Sequence, residues 1–314
     1  MKTMTLTELR YLVAVADLRH FGRAAERCNV TQPTLSSQLR KLEDGLGVPL
    51  VERTTRSVTL TPMGDRIVLH ARRILEEADT IGEIARHRHG TLMNILRIGI
   101  IPTLSPYILP LLLNKLHAHF PDLRLVLRED LTHNLLAALD SHALDVLLIA
   151  LPDNVENYPF MPLFREPFWF VCPTGHRLSN RAFVEEEDLN IERMLLLDEG
   201  HCLRDQALAI CGHQTRDQET ANDDFRATSL ETICEMVAAG FGCTLLPAMA
   251  LPCLTAQDDR LAVRPLQASG AHRRVGLLWR SSFPRSEDLV VLGTFIQNQL
   301  PDSVETIRMA ETLI

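Results

Sequence analysis

A chain of 314 residues with 46% hydrophobic and 23% charged content, net charge −8, has room for two or three domains, each with its own core. No apolar run approaches the roughly 20 residues of a membrane span, and Glu8 and Arg10 interrupt any leader before Tyr11, so a cytoplasmic protein with no membrane partner is expected. The seven cysteines (28, 172, 202, 211, 234, 243 and 253) are odd in number and lack C-x-x-C spacing, so neither a disulfide framework nor a metal site is expected, and no cofactor.

The charge is unevenly placed. Residues 1–60 hold nine Lys and Arg against six Asp and Glu, residues 61–90 hold five of each, and the remainder carries a net −11. A basic module on an acidic body suggests a polyanion partner for the module alone. Thr5-Leu6-Thr7-Glu8 reads as a capping box ahead of a helix whose apolar stripe is Leu6, Leu9, Leu12, Val13 and Ala16. A short second helix follows Phe21-Gly22 and ends at Cys28, and Asn29-Val30 makes a tight turn. Thr31 caps a third helix with Pro33 in its first turn, Leu35, Leu39 and Leu42 as its buried stripe, and Gly45 and Gly47 as its stop. This is the helix-turn-helix arrangement. The outer face offers Gln32, Pro33, Thr34, Ser36, Ser37, Gln38 and Arg40, mostly groove-reading types. Leu50–Arg53 and Val58–Leu60 read as the two strands of a wing, with Arg53 and Arg56 placed for phosphate or minor-groove contact.

Thr61-Pro62 then starts a long helix ending near His89-Gly90. Ile67, Ala71, Ile74, Ala78, Ile81 and Ala85 recur in steps of four and three, a heptad seam that favours a dimer over packing on the helix's own domain. From Leu96 onward, strands alternate with helices. Strands are expected at Leu96–Ile101, Arg124–Leu127, Val146–Ala150, Phe168–Cys172, Met194–Leu197, Cys243–Leu246 and Val275–Trp279. Helices are expected at Pro106–Phe120, His133–Leu139, Ser229–Ala239 and Leu289–Leu300. Two small α/β lobes with a cleft at the strand C-termini fit this pattern.

Between Gly200 and Gly212 the sequence reads as one short helix with Cys202 in its first turn and Cys211 in its last. The positive end of the helix dipole, with His201 and Arg204 beside it, favours a thiolate at Cys202, whereas the opposite end disfavours one at Cys211. Nine residues of helix rise about 13.5 Å and turn about 900°, placing the sulfurs on opposite faces. A disulfide needs Cα atoms roughly 5.5 to 6 Å apart, so bonding of this pair would require the helix to come apart. Cys28, Cys172, Cys234, Cys243 and Cys253 read as buried hydrophobes, and His87, His89 and His213 as solvated. Thr132 has a purely structural alternative as the cap of the helix beginning at His133.

Residues Leu9-Arg10-Tyr11, His20 to Arg27, Thr31 to Ser36, Leu39, Leu42-Glu43, Leu46-Gly47-Val48, Glu52-Arg53 and Leu60 to Gly64 resemble, without a gap, the LysR-type transcriptional regulators. Ile101-Pro102-Thr103, Pro106-Tyr107, Leu131-Thr132-His133, Gly200 to Gln206, Cys211, Phe225 to Thr232, Gly242 and Leu245 to Ala248 extend the resemblance to that family's hydrogen-peroxide-sensing branch. Gly212-His213 and Gln214 to Ala221 depart from its pattern.

The resemblance implies a winged helix-turn-helix DNA-binding domain over residues 1–61, a linker and dimerisation helix over 62–90, and an effector domain over 91–314. That last domain would be α/β and shaped like a periplasmic binding protein, with lobe I about 91–165 plus 268–314 and lobe II about 166–267. It implies Cys202 as the thiol oxidised by peroxide, Cys211 as the resolving thiol, and Thr103, Thr132, His201, Arg204 and Asp205 in peroxide binding and activation. The implied partners are double-stranded DNA, RNA polymerase, hydrogen peroxide, thiol reductants of the glutaredoxin or glutathione type, and further copies of the chain as a dimer of dimers. The implied activity is activation of antioxidant genes, not catalysis. Two rivals stand beside it: a metabolite-responsive regulator with an incidental Cys202, and a thiol peroxidase with a DNA-binding appendage.

Overall fold

In a computed structural model of the chain, residues 4–53, 58–85, 94–151, 158–189, 192–211, 227–256 and 258–308 are described. The chain divides into two compact units: Met1–His89 with Ser141–Ala143, and Gly90–Asp140 with Leu144–Ile314.

The first unit opens with α1 (Leu6–Leu18), entered through the expected capping box. Thr5 Oγ1 accepts from the Glu8 N–H at 3.2 Å and Glu8 Oε2 accepts from the Thr5 N–H at 2.9 Å, pairing two donors that a helix start leaves orphaned. Helix α2 (Phe21–Arg27) is capped by His20 Nδ1, and α3 (Gln32–Leu46) by Thr31. Gly47, at φ +73°, ends α3 in the left-handed conformation, whereas Gly45 lies inside the helix and does not stop it. Leu9, Leu12, Phe21, Ala24, Leu35, Leu39 and Leu42 close one core. Strands β1 (Val51–Arg53) and β2 (Val58–Leu60) pair antiparallel as the wing.

Helix α4 (Pro62–Ala85) leaves the wing at Gly64, where an added Cβ would sit 2.0 Å from the Leu50 carbonyl oxygen. The heptad seam is divided. Ala71 is buried in the core of its own unit and Ile67 packs against it, so these two serve the intrachain reading. Ile74 is 39% and Ile81 68% exposed, and Ala78 is half-buried. The Ala85 side chain lies outside the described residues.

The second unit begins with β3 (Asn94–Ile100), α5 (Ser105–His119), β4 (Leu123–Glu129), α6 (Thr132–Asp140) and β5 (Val146–Ala150). Strand β3 runs parallel to both β4 and β5, as strand–helix–strand crossovers require. Then come β6 (Phe160–Pro173), β7 (Val184–Glu185), α7 (Glu186–Leu189), α8 (Cys202–Cys211), α9 (Leu230–Ala238) and β8 (Thr244–Pro247). A 3-10 turn at Ala248–Ala250 leads into α10 (Leu251–Leu254), β9 (Leu261–Gln267), β10 (His272–Trp279), α11 (Ser286–Gln297) and β11 (Glu305–Thr306).

The sheet runs β4-β3-β5-β10-β6-β9-β7, with β11 and β8 also paired to β6. Strand β6 is continuous where a shorter strand at Phe168–Cys172 was expected. It pairs with β10 from Phe160 to Pro167, then with β8 from Phe168 and β9 from Trp169, so one strand serves both lobes. The expected strand at Met194–Leu197 is reduced to two isolated bridges, Met194 to Cys243 and Leu197 to Ala227. Among the described residues, no helix is long and apolar enough to cross a membrane.

Candidate functional site

Adjacent parallel strands carry the site's two threonines. Ile100 and Glu129 are register partners at the ends of β3 and β4, and Thr103 and Thr132 follow each by three residues. Both therefore stand at the carboxyl edge of the sheet, where open α/β folds bind ligands. Thr132 is the first residue of α6, not its cap, and its hydroxyl is otherwise engaged: Oγ1 lies 3.0 Å from Cys202 Sγ. The helix begins at Thr132 itself, with the Leu135 N–H bonded to the Leu131 carbonyl, so the cap position falls on Leu131. The hydroxyl can accept from a thiol or donate to a thiolate.

Cys202, half-buried, is the first residue of α8, where backbone N–H groups and the positive end of the dipole converge. Gly200 makes the approach possible. It adopts φ +90°, and a Cβ there would meet Leu131 Cδ1 at 3.0 Å and His133 Cε1 at 3.6 Å. A side chain at this position would hold the start of α8 away from Thr132. His201 is buried, and burial pushes its pKa below the ordinary histidine value against the opposing pull of Asp198, which favours the neutral imidazole. It supplies hydrogen-bonding capacity rather than the positive charge expected beside the thiol. Arg204 donates from Nη1 to the Leu197 carbonyl at 3.1 Å, and Asp205 is exposed on the outer face of α8.

Cys211 closes the helix from the other end and is 2% exposed. Burial, with Glu186 adding to it, pushes its thiol up to about 11. The helix between the cysteines is unbroken over its ten residues, which sets a rise of about 13.5 Å along its axis. Cys172, Cys234 and Cys243 are buried and Cys28 is half-buried, but Cys253 is exposed because α10 is a single turn at the surface. His87, His89 and His213 lie outside the described residues.

Sequence reasoning missed the most deeply buried charges in the site. Arg273 is 1% and Glu166 0% exposed, and they are direct register partners on β10 and β6. Arg273 Nε donates to Glu166 Oε2 at 2.7 Å, Nη1 to Thr103 Oγ1 at 3.0 Å and Nη2 to the Thr103 carbonyl at 3.1 Å. Strand alternation was the available signal. Arg273 shares its phase with Ala271, Val275 and Leu277, and Glu166 with Phe164, Phe168 and Phe170, all buried.

A second polar cluster brings together His176, Glu192 and Cys243. His176 Nδ1 accepts from the Leu178 N–H at 3.3 Å, which leaves the hydrogen on Nε2, directed at Glu192 Oε2 at 2.9 Å. Cys243 Sγ lies 3.8 Å from the same nitrogen. In this tautomer Nε2 has no lone pair to offer a metal, and Glu192 is also paired with Arg177.

On the first unit, Gln32, Pro33, Thr34, Ser37 and Arg40 are exposed along α3 and Ser36 is half-buried. The Thr34 hydroxyl is engaged with Thr31 Oγ1 at 2.8 Å. Arg53 ends β1, but its side chain, and all of Arg56, lie outside the described residues.

Comparison with known proteins places both units. The family of bacterial regulatory helix-turn-helix proteins of the lysR type matches residues 6–65, and the LysR substrate binding domain matches residues 89–301. The DNA-binding transcriptional dual regulator OxyR of Escherichia coli K12 is 46% identical over 281 residues, 90% of this chain and 91% of that protein. A full-length OxyR variant from Pseudomonas aeruginosa superposes with a TM-score of 0.83 at 40% identity, covering 98% of this chain and 99% of the other. A hydrogen-peroxide-bound OxyR mutant from Corynebacterium glutamicum gives 0.64 at 37% identity, with 95% of each chain covered. With its helix-turn-helix, its two-lobed α/β domain and these relatives, the chain belongs to the LysR family of bacterial regulators, on the branch of the OxyR proteins.

Proposed function

We propose that this chain is a hydrogen-peroxide-sensing regulator of transcription whose sensor is Cys202. The observation that carries the reading is the 3.0 Å contact between Thr132 Oγ1 and Cys202 Sγ, at the meeting of the sheet's carboxyl edge and a helix N-terminus. The thiolate of Cys202 attacks one peroxide oxygen. An S–O bond forms, the O–O bond breaks, sulfur is oxidised to sulfenic acid, and the other oxygen leaves as hydroxide and takes a proton to become water. The Thr103 and Thr132 hydroxyls hold the peroxide, neutral His201 supplies a further hydrogen bond, and Arg204 and Asp205 support activation from α8. The Cys211 thiol then condenses with the sulfenic acid, releasing water and closing the disulfide. Because a disulfide holds its Cα atoms roughly 5.5 to 6 Å apart, α8 unwinds in the process.

The oxidised lobe alters DNA contact through α3 (Gln32, Pro33, Thr34, Ser36, Ser37 and Arg40) and the wing (Arg53 and Arg56), and brings RNA polymerase to antioxidant genes. The protein acts in the cytoplasm as a dimer of dimers joined through the exposed part of the α4 seam. Cellular thiols of the glutaredoxin or glutathione type reset it. Each peroxide molecule is a signal, and the chain is a regulator rather than an enzyme.

Peptide mapping without reductant, after treating the reduced protein with one equivalent of peroxide, tests this. A Cys202–Cys211 link is expected, and Cys202→Ser is expected to lose the peroxide response while still binding DNA. A peroxide-dependent footprint in Cys202→Ser overturns the assignment. An oxidised wild type without the link favours the metabolite-responsive alternative. Consumption of many equivalents per chain with a thiol reductant favours a peroxidase.

A further inference from the structure

We infer that Glu166 is a positioning residue for the peroxide reaction: acting through Arg273, it sets the Thr103 hydroxyl as a hydrogen-bond donor to the departing oxygen. The inference rests on the peroxide reading above. A buried ion pair is a weak device for stability, because desolvating both charges offsets most of their attraction, so its presence in this core calls for a positional role. The geometry supplies one. A guanidinium is planar and rigid, so a carboxylate gripping its Nε edge aims its Nη edge. Glu166 Oε2 holds Arg273 Nε at 2.7 Å, and the two Nη atoms then reach Thr103 Oγ1 and the Thr103 carbonyl at 3.0 and 3.1 Å.

The consequence for Thr103 is directional. With Oγ1 accepting from a cation, its own O–H remains free to donate, and donation from Arg273 strengthens it as a donor. A donor is what the reaction needs as the O–O bond breaks and negative charge grows on the departing oxygen. The other oxygen of Glu166 is also anchored: Oε1 accepts from the Met249 N–H at 2.8 Å, at the 3-10 turn that follows β8. The carboxylate is thereby fixed against rotation from both lobes, at the point on β6 where the strand exchanges β10 for β8 and β9.

The test uses the reduced full-length protein as wild type, Glu166→Gln and Glu166→Asp, with two reagents for Cys202. Hydrogen peroxide needs a proton or donor for its leaving oxygen; the same thiolate attacks the methylene carbon of iodoacetamide and displaces iodide, which needs neither. Both variants are expected to slow oxidation about tenfold or more while leaving alkylation within about twofold of wild type. In a Thr103→Val background, adding Glu166→Asp is expected to cause no further loss. Should Glu166→Gln fail to fold, Glu166→Asp decides alone, since it keeps the charge and only retracts it by one methylene. Unchanged oxidation overturns the inference, as does a parallel fall in oxidation and alkylation, or an additive loss with Thr103→Val. A wild type that peroxide does not oxidise overturns the peroxide reading and this one together, whereas a reactive wild type with equally reactive variants overturns this one alone.

Discussion

The two cysteines of α8 are separated by burial as much as by distance. Cys202 is half-buried and within reach of a hydroxyl; Cys211 is sealed in the core with its thiol pushed up to about 11. An unfolded chain ionises that thiol near its ordinary value of 9.0, while the folded chain keeps it protonated until about 11. Between those values the unfolded state binds fewer protons, so stability falls as pH rises through this window and is unaffected below it. Cys211→Ala is expected to lose about 1 kcal/mol less stability than wild type between pH 8 and 10, read from urea unfolding of the reduced protein. An identical fall in both proteins would contradict the burial. At this scale the thiol pair and Thr132 were legible because they sit in a local motif. Arg273 and Glu166 were not, since strand alternation puts each in a buried phase but does not name a partner 107 residues away.

Elements were most legible where local signals agreed. The expected bounds of β5 match those observed, and the cysteines mark both ends of α8, because apolar runs there are bounded by turn residues. Strand β6 was read from Phe168 onward because Pro162, Arg165, Glu166 and Pro167 interrupt its apolar pattern, and proline ordinarily marks a strand end. What sustains the strand is non-local: Arg273 neutralises Glu166, and the change of partners falls just after Pro167. Strand β9 is obscured in the sequence for a similar reason, with Arg264 and Pro265 at its centre. The start of α8 depends on one backbone conformation. Gly200→Ala is expected to destabilise the reduced protein by about 1–2 kcal/mol, through a positive φ and a new contact with Leu131, measurable by urea unfolding. A stability equal to wild type would show that the loop relaxes without strain.

Across the whole molecule, a heptad stripe tells that a helix has an apolar face but not what covers it. In α4 the answer changes along its length, from the core of its own unit at Ile67 and Ala71 to the exposed Ile74 and Ile81. Ile81→Glu is accordingly expected to weaken self-association, seen as dissociation in sedimentation equilibrium, while leaving the unfolding of the N-terminal module within about 0.5 kcal/mol of wild type. Retained association would move the interface elsewhere. The effector unit poses the opposite case, a single element with two sets of partners. Strand β6, with its 14 residues, is a spar about 45 Å long, bonded in one lobe along its first half and in the other along its second. Turning one lobe against the other therefore means twisting the spar, which the backbone ladders on both sides resist together. Where a flexible joint would let one lobe turn freely, this architecture opposes the turn along the whole length of the strand.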